Sequence, residues 1–198
     1  MEHVKFNFTK KEKIPDGKKL DGNLYSLSLT WLDEEVDVDL TAVQLSKGLL
    51  TSLDNVLSFC NDNCLDTFTI RPHMRIPARA FVLPNKSMTH RGDFDGKVGV
   101  EVITMDLSVV PPEVDEIVFI ATIAEGKNFG LKDVESLQGS IIDSSDNVVM
   151  SSRLKEFSHN VSTMAFMSLR FYGDGWYVSN NKFGSNARLD NFINTLFL

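Results

Sequence analysis

Few side chains in this 198-residue chain could bind a metal tightly or act in catalysis. Cys60 and Cys64 are close enough in sequence to bind one metal ion, and His73 and His90 could complete a zinc site. Structural zinc sites usually show two compact pairs of ligands, whereas this chain has one. A cysteine at position 60 that simply points from a strand into the core is therefore the preferred interpretation.

Catalytic motifs are absent from the sequence. The four histidines lie far apart, and no Gly-x-Ser-x-Gly, Gly-x-Gly-x-x-Gly or phosphate-loop pattern accompanies them. His90 is more plausible as a hydrogen-bonding residue of a loop than as a general base. The sequence predicts a protein that is not an enzyme.

Composition limits the classes of partner. The formal net charge is -7, with 42% hydrophobic and 24% charged residues, which is typical of one globular domain and argues against nucleic-acid binding. The basic cluster of residues 10–19 is interleaved with acidic residues and predicts a solvated segment. No run approaches 18 apolar residues and no export signal is recognisable, so we expect no membrane span and a cytoplasmic protein with reduced cysteines.

Alternation of apolar and polar residues predicts mainly β structure. Residues 24–31 place Tyr25, Leu27, Leu29 and Trp31 on one face, and the valines of residues 98–102 alternate with Gly99 and Glu101. Residues 117–123 are apolar on both faces, which predicts a central, covered strand. A polar, acidic loop is expected to begin at residue 87, and the prolines at 111–112 predict a connection between strands.

The ends of the chain differ from this pattern. Residues 1–22 predict an N-terminal extension with an edge strand at residues 4–8 and a turn, followed by one domain over residues 23–198. Residues 62–86 predict a proline-punctuated insertion at one edge. Apolar residues at helical spacing predict an amphipathic helix over residues 186–198, capped by Ser185 or Asn186. Leucine spacing in residues 41–53 is also compatible with a helix.

Several short motifs, in the same order along the chain, resemble the TerD domain family of tellurium-resistance and stress-response proteins. The motifs are residues 54–61 (DNVLSFCN), 87–93 (SMTHRGD), 110–119 (VPPEVDEIVF), 128–130 (NFG), 162–165 (STMA), 170–172 (RFY) and 175–176 (GW). The resemblance covers roughly residues 24–183 apart from the insertion. It implies a TerD-like β-sandwich of two packed sheets, a strand rather than a helix at residues 41–45, calcium binding through acidic loops, and no established catalytic activity.

The resemblance also identifies candidate calcium ligands. In the family pattern a Gly-Asp pair precedes a dense acidic run, whereas residues 96–99 here read GKVG; a second motif, Asp-Leu-Asp-Ala, here carries Thr41 in place of its second acid. The acidic residues that remain are Asp37, Asp39, Asp93 and Asp95, with Glu101 as a further candidate. Because calcium takes six to eight oxygen ligands, we expect weak calcium binding at most, with a solvated acidic loop as the alternative.

Two functions follow as hypotheses. The first is a non-enzymatic TerD-like binding or scaffold protein with a degenerate calcium site, a structural or interaction subunit of a larger assembly such as a virion. The alternative is a soluble calcium-binding tellurium-resistance or stress-response protein. Partner contacts or self-association are expected through the N-terminal strand, the insertion at residues 62–86 and the C-terminal helix. The helix could instead pack on its own sandwich.

Overall fold

The computed structural model describes residues 17–32, 36–58, 81–94, 98–123, 130–156 and 160–194. These residues form twelve strands, one α-helix (α1, Leu189–Asn194) and two 3-10 helices (Leu53–Asn55 and Leu154–Glu156). The strands are β1 (Lys18–Lys19), β2 (Leu24–Trp31), β3 (Val38–Leu45), β4 (Val56–Leu57), β5 (Phe81–Val82), β6 (Met88–Phe94), β7 (Gly99–Asp106), β8 (Glu116–Ile123), β9 (Gln138–Asp143), β10 (Val148–Arg153), β11 (Thr163–Phe171) and β12 (Trp176–Ser185).

The strands form two antiparallel sheets that enclose one hydrophobic core. Sheet A has the order β1-β12-β11-β8-β3-β4, and sheet B has the order β10-β9-β2-β7-β6-β5. The core draws apolar side chains from the facing sides of both sheets. We call these the inner faces and the opposite sides the outer faces. The prediction of a mainly β sandwich with two packed sheets is confirmed.

Strand β8 lies inside sheet A, between β11 and β3. All eight of its residues are buried. Phe119 and its alternate neighbours face the main core, whereas Val118 and Ile120 belong to a second apolar cluster on the outer face. The predicted central strand is confirmed, because only a strand covered on both sides buries apolar residues of both parities.

The second apolar cluster is made by α1. Phe192 and Ile193 are buried on the outer face of sheet A, where they meet Val43 and Val118. This contact buries β3 on both faces and accounts for its continuous burial, so residues 41–45 are strand and not helix. The described part of α1 therefore packs on its own sandwich, and this part of its apolar face is not available to a partner.

The start of α1 differs from the prediction. The helix begins at Leu189, and residues 195–198 lie outside the described part of the chain. Ser185 Oγ accepts a hydrogen bond from Ala187 N, and Asn186 Oδ1 accepts one from Ser162 N. Neither side chain bonds to an amide of the helix, so the predicted caps are wrong, because both are used to fix the chain between β12 and α1.

One expectation for sheet B is also wrong. The stretch expected to open as a loop is strand β6, which pairs with β7 through a bulge between His90 and Asp93. Every second residue of β7 is buried, namely Gly99, Glu101, Ile103 and Met105. Val98, just before the strand, is 45% exposed. The alternation predicted from residues 98–102 is confirmed, and its valines lie on the outer face, because Glu101 has partners inside the sandwich.

The structure describes only part of the predicted N-terminal extension. Residues 4–8 lie outside the described part, but Lys18–Lys19 pair with β12 and Leu20 is buried in the core. Most of the predicted insertion also lies outside it. The last part of the insertion contributes β5, which pairs with β6 at the edge of sheet B.

Candidate functional site

The structure describes two of the four predicted calcium ligands in full. Asp37 is exposed just before β3, and Asp39 is buried in β3, on the outer face, where it pairs in register with Thr122. Asp93 lies in β6 opposite Glu101, but its side chain, like the whole of Asp95, lies outside what the structure describes. The four-residue set therefore stays a prediction.

Glu101 is not grouped with Asp39. Its carboxylate points to the inner face, where Oε2 accepts a hydrogen bond from the backbone N–H of Leu40. Leu40 and Asp39 are consecutive residues of β3, and consecutive side chains of a strand lie on opposite faces. Sheet A therefore separates Glu101 from Asp39.

His90 completes the interaction with Leu40. His90 Nε2 lies 3.1 Å from Leu40 O and 3.4 Å from Glu101 Oε2, and all three residues are fully buried. Two side chains of sheet B thus hold both backbone groups of one residue in sheet A. We call Glu101, His90 and the Leu40 backbone the inter-sheet clasp.

The hydrogen bonds assign the proton on His90. Gly92 N donates to Nδ1 at 3.0 Å, so Nδ1 is an acceptor and carries no proton. The imidazole is then neutral with its proton on Nε2, which donates to Leu40 O. His90 is a buried strand residue with both ring nitrogens in use, and this arrangement is structural.

The clasp lies where an edge would otherwise be open. Strand β4 pairs with only Ala42 and Val43 of β3. Leu40 lies two residues further along the same edge, and its backbone groups would lack a strand partner there. The clasp satisfies them with side chains from the other sheet, which ties the two sheets together at this side of the sandwich.

A metal centre does not emerge from the side chains that the structure describes. Among them, no group of three or more His, Cys, Asp or Glu residues is arranged to hold a metal ion. Cys60, Cys64 and His73 lie outside the described ranges, so the zinc interpretation is untested. Calcium takes more oxygen ligands than Asp37 and Asp39 alone supply, so the calcium site stays a prediction.

A second buried carboxylate is paired on the outer face of sheet A. Arg170 Nε donates to Glu116 Oε1 at 2.8 Å, and the two residues are register partners in β11 and β8. Burial raises the pKa of Glu116, and the Arg170 guanidinium opposes that rise. This pair is a cross-strand ion pair between neighbouring strands.

Exposed apolar side chains collect at one end of the sandwich. We call this the apolar end; it carries the turns that follow β3, β7, β9 and β11 and the start of β2. Six of the eight large hydrophobic side chains that are exposed in the described ranges lie there. They are Leu24, Leu49, Leu53, Val109, Val148 and Phe171.

Hydrogen bonds join the turns of the apolar end. Leu107 N donates to Asn23 O beside Leu24, and Phe171 N donates to Asp115 O. Lys47 N donates to Asp115 Oδ1, which connects the turn after β3 to the same loop. The loop of residues 107–115 therefore lies between the start of β2, the end of β11 and the turn after β3, and it brings their exposed apolar residues to one surface.

The topology and the shared inner core define a two-sheet antiparallel sandwich. The TerD domain model matches residues 77–196, which is more than half of the sequence. The chain belongs to the TerD domain family. The matched region includes residues 77–86, which the sequence interpretation had placed in the insertion.

Solved structures share this fold at low sequence identity. A homologue of the telluride resistance protein TerD from Streptomyces coelicolor A3(2) superposes with a TM-score of 0.62 at 11% identity, covering 87% of this chain and 96% of that one. A protein of unknown function, SAV2460, superposes with a TM-score of 0.64 at 13% identity, covering 86% and 94%. No curated protein sequence matches the chain. No helix in the described ranges is long and apolar enough to cross a membrane.

Proposed function

We propose that this TerD domain works by binding another protein, as an interaction or structural subunit of a larger assembly such as a virion, and not by catalysis. The observation that carries the proposal is the concentration of exposed apolar side chains at the apolar end. Single exposed apolar residues are ordinary on a protein surface, but a group of them on adjoining turns is typical of an interaction surface.

The rest of the surface supports this choice of site. The buried apolar residues of α1 pack on sheet A, and on the outer face of sheet B strand β2 carries the hydroxyl residues Ser26, Ser28 and Thr30. Burial of apolar area at the apolar end contributes about 25 cal/mol per Å², so several leucine-sized side chains supply a useful part of a protein–protein interface. The partner is a second copy of the chain or another subunit of the same assembly.

The N-terminal segment and the insertion remain part of this proposal. Residues 1–16 and 59–80 lie outside what the structure describes, so their role as partner contacts stays a prediction. Within the predicted extension, Lys18 and Lys19 pair with β12 and Leu20 is buried in the core.

Polar substitution of the apolar end tests the proposal. The variant Leu24→Ser, Val109→Ser, Phe171→Ser should lose association with itself or with the partner recovered from the native source by at least about tenfold, because it removes apolar area from the interface. Size-exclusion chromatography with light scattering measures the association.

The opposite end of the sandwich supplies the matched control. Leu32 and Val98 are also exposed, and the variant Leu32→Ser, Val98→Ser should associate like the unaltered chain. The proposal fails if both variants lose association equally. It also fails if the unaltered chain is strictly monomeric and no partner is recovered with it.

The alternative function is a calcium-binding protein of tellurium resistance or stress response. The Streptomyces coelicolor protein of the same fold is a homologue of a telluride resistance protein, but at 11% identity that likeness supports the fold alone. The substitutions at residues 41 and 96–99 remove acidic residues that the family pattern would use.

Calcium titration separates the two functions. Isothermal titration calorimetry on the full chain, after treatment with a chelator, should show millimolar affinity or no binding, because the set of carboxylates is incomplete. Tight binding with whole-number stoichiometry, abolished by Asp39→Asn and retained in Asp190→Asn, would favour the calcium-binding function. Asp190 is an exposed residue of α1 and serves as the control.

A further inference from the structure

A polar groove of about 310 Å³ opens on the outer side of sheet B, next to the apolar end. Three hydroxyl side chains cross it in one row: Ser26 of β2 pairs with Thr104 of β7, which pairs with Thr89 of β6. Neighbouring strands lie about 4.8 Å apart, so two adjacent hydroxyls of the row can contact one small ligand. Lys86 and Arg91 also line the groove.

Four side chains of the groove have unused hydrogen-bond donors. The side chains of Lys86, Arg91, Ser26 and Thr89 form no hydrogen bond or ion pair with any residue that the structure describes. Thr89 and Arg91 are two residues apart on β6, so both project to the same side of the sheet. Two cationic groups and two hydroxyl groups therefore face the groove with their donor hydrogens available.

The acceptors of the groove, in contrast, are largely satisfied. Asp106 Oδ1 accepts from the backbone N–H and the hydroxyl of Ser108. Asp143 Oδ1 accepts from the backbone N–H groups of Ser145 and Asn147. These hydrogen bonds lower the pKa of both carboxyls, the side-chain bond of Ser108 acting most on Asp106 and the backbone bond of Asn147 on Asp143. The groove thus offers donors to a ligand, and its own carboxylates are held by neighbouring turns.

Lys86 is presented by a fixed turn. Its backbone is in the left-handed region (φ 60°), and its N–H donates to Leu83 O. Asn85 Oδ1 accepts from the amide and the hydroxyl of Ser87, and the buried Gln44 of sheet A bonds to both Asn85 and Ser87. Because these hydrogen bonds already order the turn, less conformational entropy is lost when a ligand binds to it.

We propose that this groove binds a phosphate group, free or as the monoester of a small molecule. An arginine fork, a lysine and hydroxyl groups supply more donors than a carboxylate accepts, whereas a phosphate has three terminal oxygens to receive them. The groove is open and also contains Asp106 and Asp143, so the affinity is on the order of millimolar. This site does not depend on the partner-binding function proposed above.

An NMR titration of the full chain tests the site. Inorganic phosphate and glycerol 3-phosphate are added in parallel at constant ionic strength, with chloride replaced as each is added. The amide signals of Ser26, Lys86, Thr89, Arg91 and Thr104 should shift and saturate. Tighter binding of glycerol 3-phosphate identifies a monoester as the ligand class, and equal or weaker binding identifies free phosphate.

Charge-matched variants complete the test. Lys86→Ala with Arg91→Ala should weaken binding at least about tenfold, because charge-assisted hydrogen bonds are lost. Lys132→Ala with Lys155→Ala removes two exposed charges at the opposite end and should leave the shifts unchanged. The amide spectra show that each variant is folded. The proposal is overturned if neither titrant gives saturable shifts, or if the shifts persist in the Lys86 and Arg91 variant.

Discussion

Replacement of Phe119 by alanine should lower the free energy of unfolding by about 3–5 kcal/mol. Phe119 is fully buried in the main core and lies on β8, between Met167 of β11 and Ala42 of β3. Neighbours on both sides are fixed in their strands and cannot collapse into the space, so the substitution leaves a cavity. Urea unfolding monitored by tryptophan fluorescence measures the loss.

Phe171→Ala is the control for this prediction. Phe171 is 44% exposed, and its described ring contact is with Trp176 at 5.5 Å between centroids. Loss of that aromatic contact should cost about 1 kcal/mol. Equal effects of the two alanine substitutions would show that β8 is not the covered centre of the sandwich.

Removal of the Glu101 carboxylate should be the next most damaging change. Glu101→Ala leaves the buried N–H of Leu40 without its acceptor, and His90 loses its neighbouring carboxylate. An unsatisfied buried donor together with the lost charge-assisted bond costs about 3 kcal/mol. Glu101→Gln should cost less, because the amide oxygen can still accept from Leu40.

Two measurements distinguish the clasp from a general loss of stability. In Glu101→Ala, the hydrogen-exchange rate of the Leu40 amide should increase by a larger factor than the rate of the Phe119 amide. Only the Leu40 amide loses its hydrogen-bond acceptor in this variant. Glu113→Ala, at an exposed glutamate, should change stability by no more than about 0.5 kcal/mol. A Leu40 amide that exchanges at its original rate in Glu101→Ala would contradict the clasp.

Local sequence patterns were sufficient to predict strands β2 and β8. Tyr25, Leu27, Leu29 and Trp31 are all buried, as the alternation of β2 indicated, and the apolar residues of β8 are covered on both sides. The turn between β11 and β12 was also predictable, since Gly173 and Gly175 have positive φ and only glycine adopts such values without strain.

The failures come from polar residues that are satisfied by distant parts of the chain. Glu101 is charged and yet lies on the inner face of β7, together with Ile103 and Met105. Its partner, the Leu40 amide, is 61 residues away in sequence, so no local pattern reveals the hydrogen bond. His90 was expected in a loop for the same reason.

Candidate sites were less predictable than strands. The phosphate groove depends on the register of three strands that brings Ser26, Thr89 and Thr104 into one row, and register between distant strands cannot be read from one sequence. The apolar end could not be predicted either, because it depends on which turns the fold brings to the same end of the sandwich. Only the calcium ligands had a sequence signal, and that signal came from the family resemblance.

We place the proposed partner-binding surface at the apolar end. Hydrogen–deuterium exchange with mass spectrometry, applied to the full chain free and in its native assembly, tests this claim most directly. The account predicts slower exchange in the assembly over residues 46–53, 107–115 and 171–175, which form adjoining turns of the apolar end. Slower exchange confined to the opposite end or to the outer face of sheet B, with these turns unchanged, would contradict it.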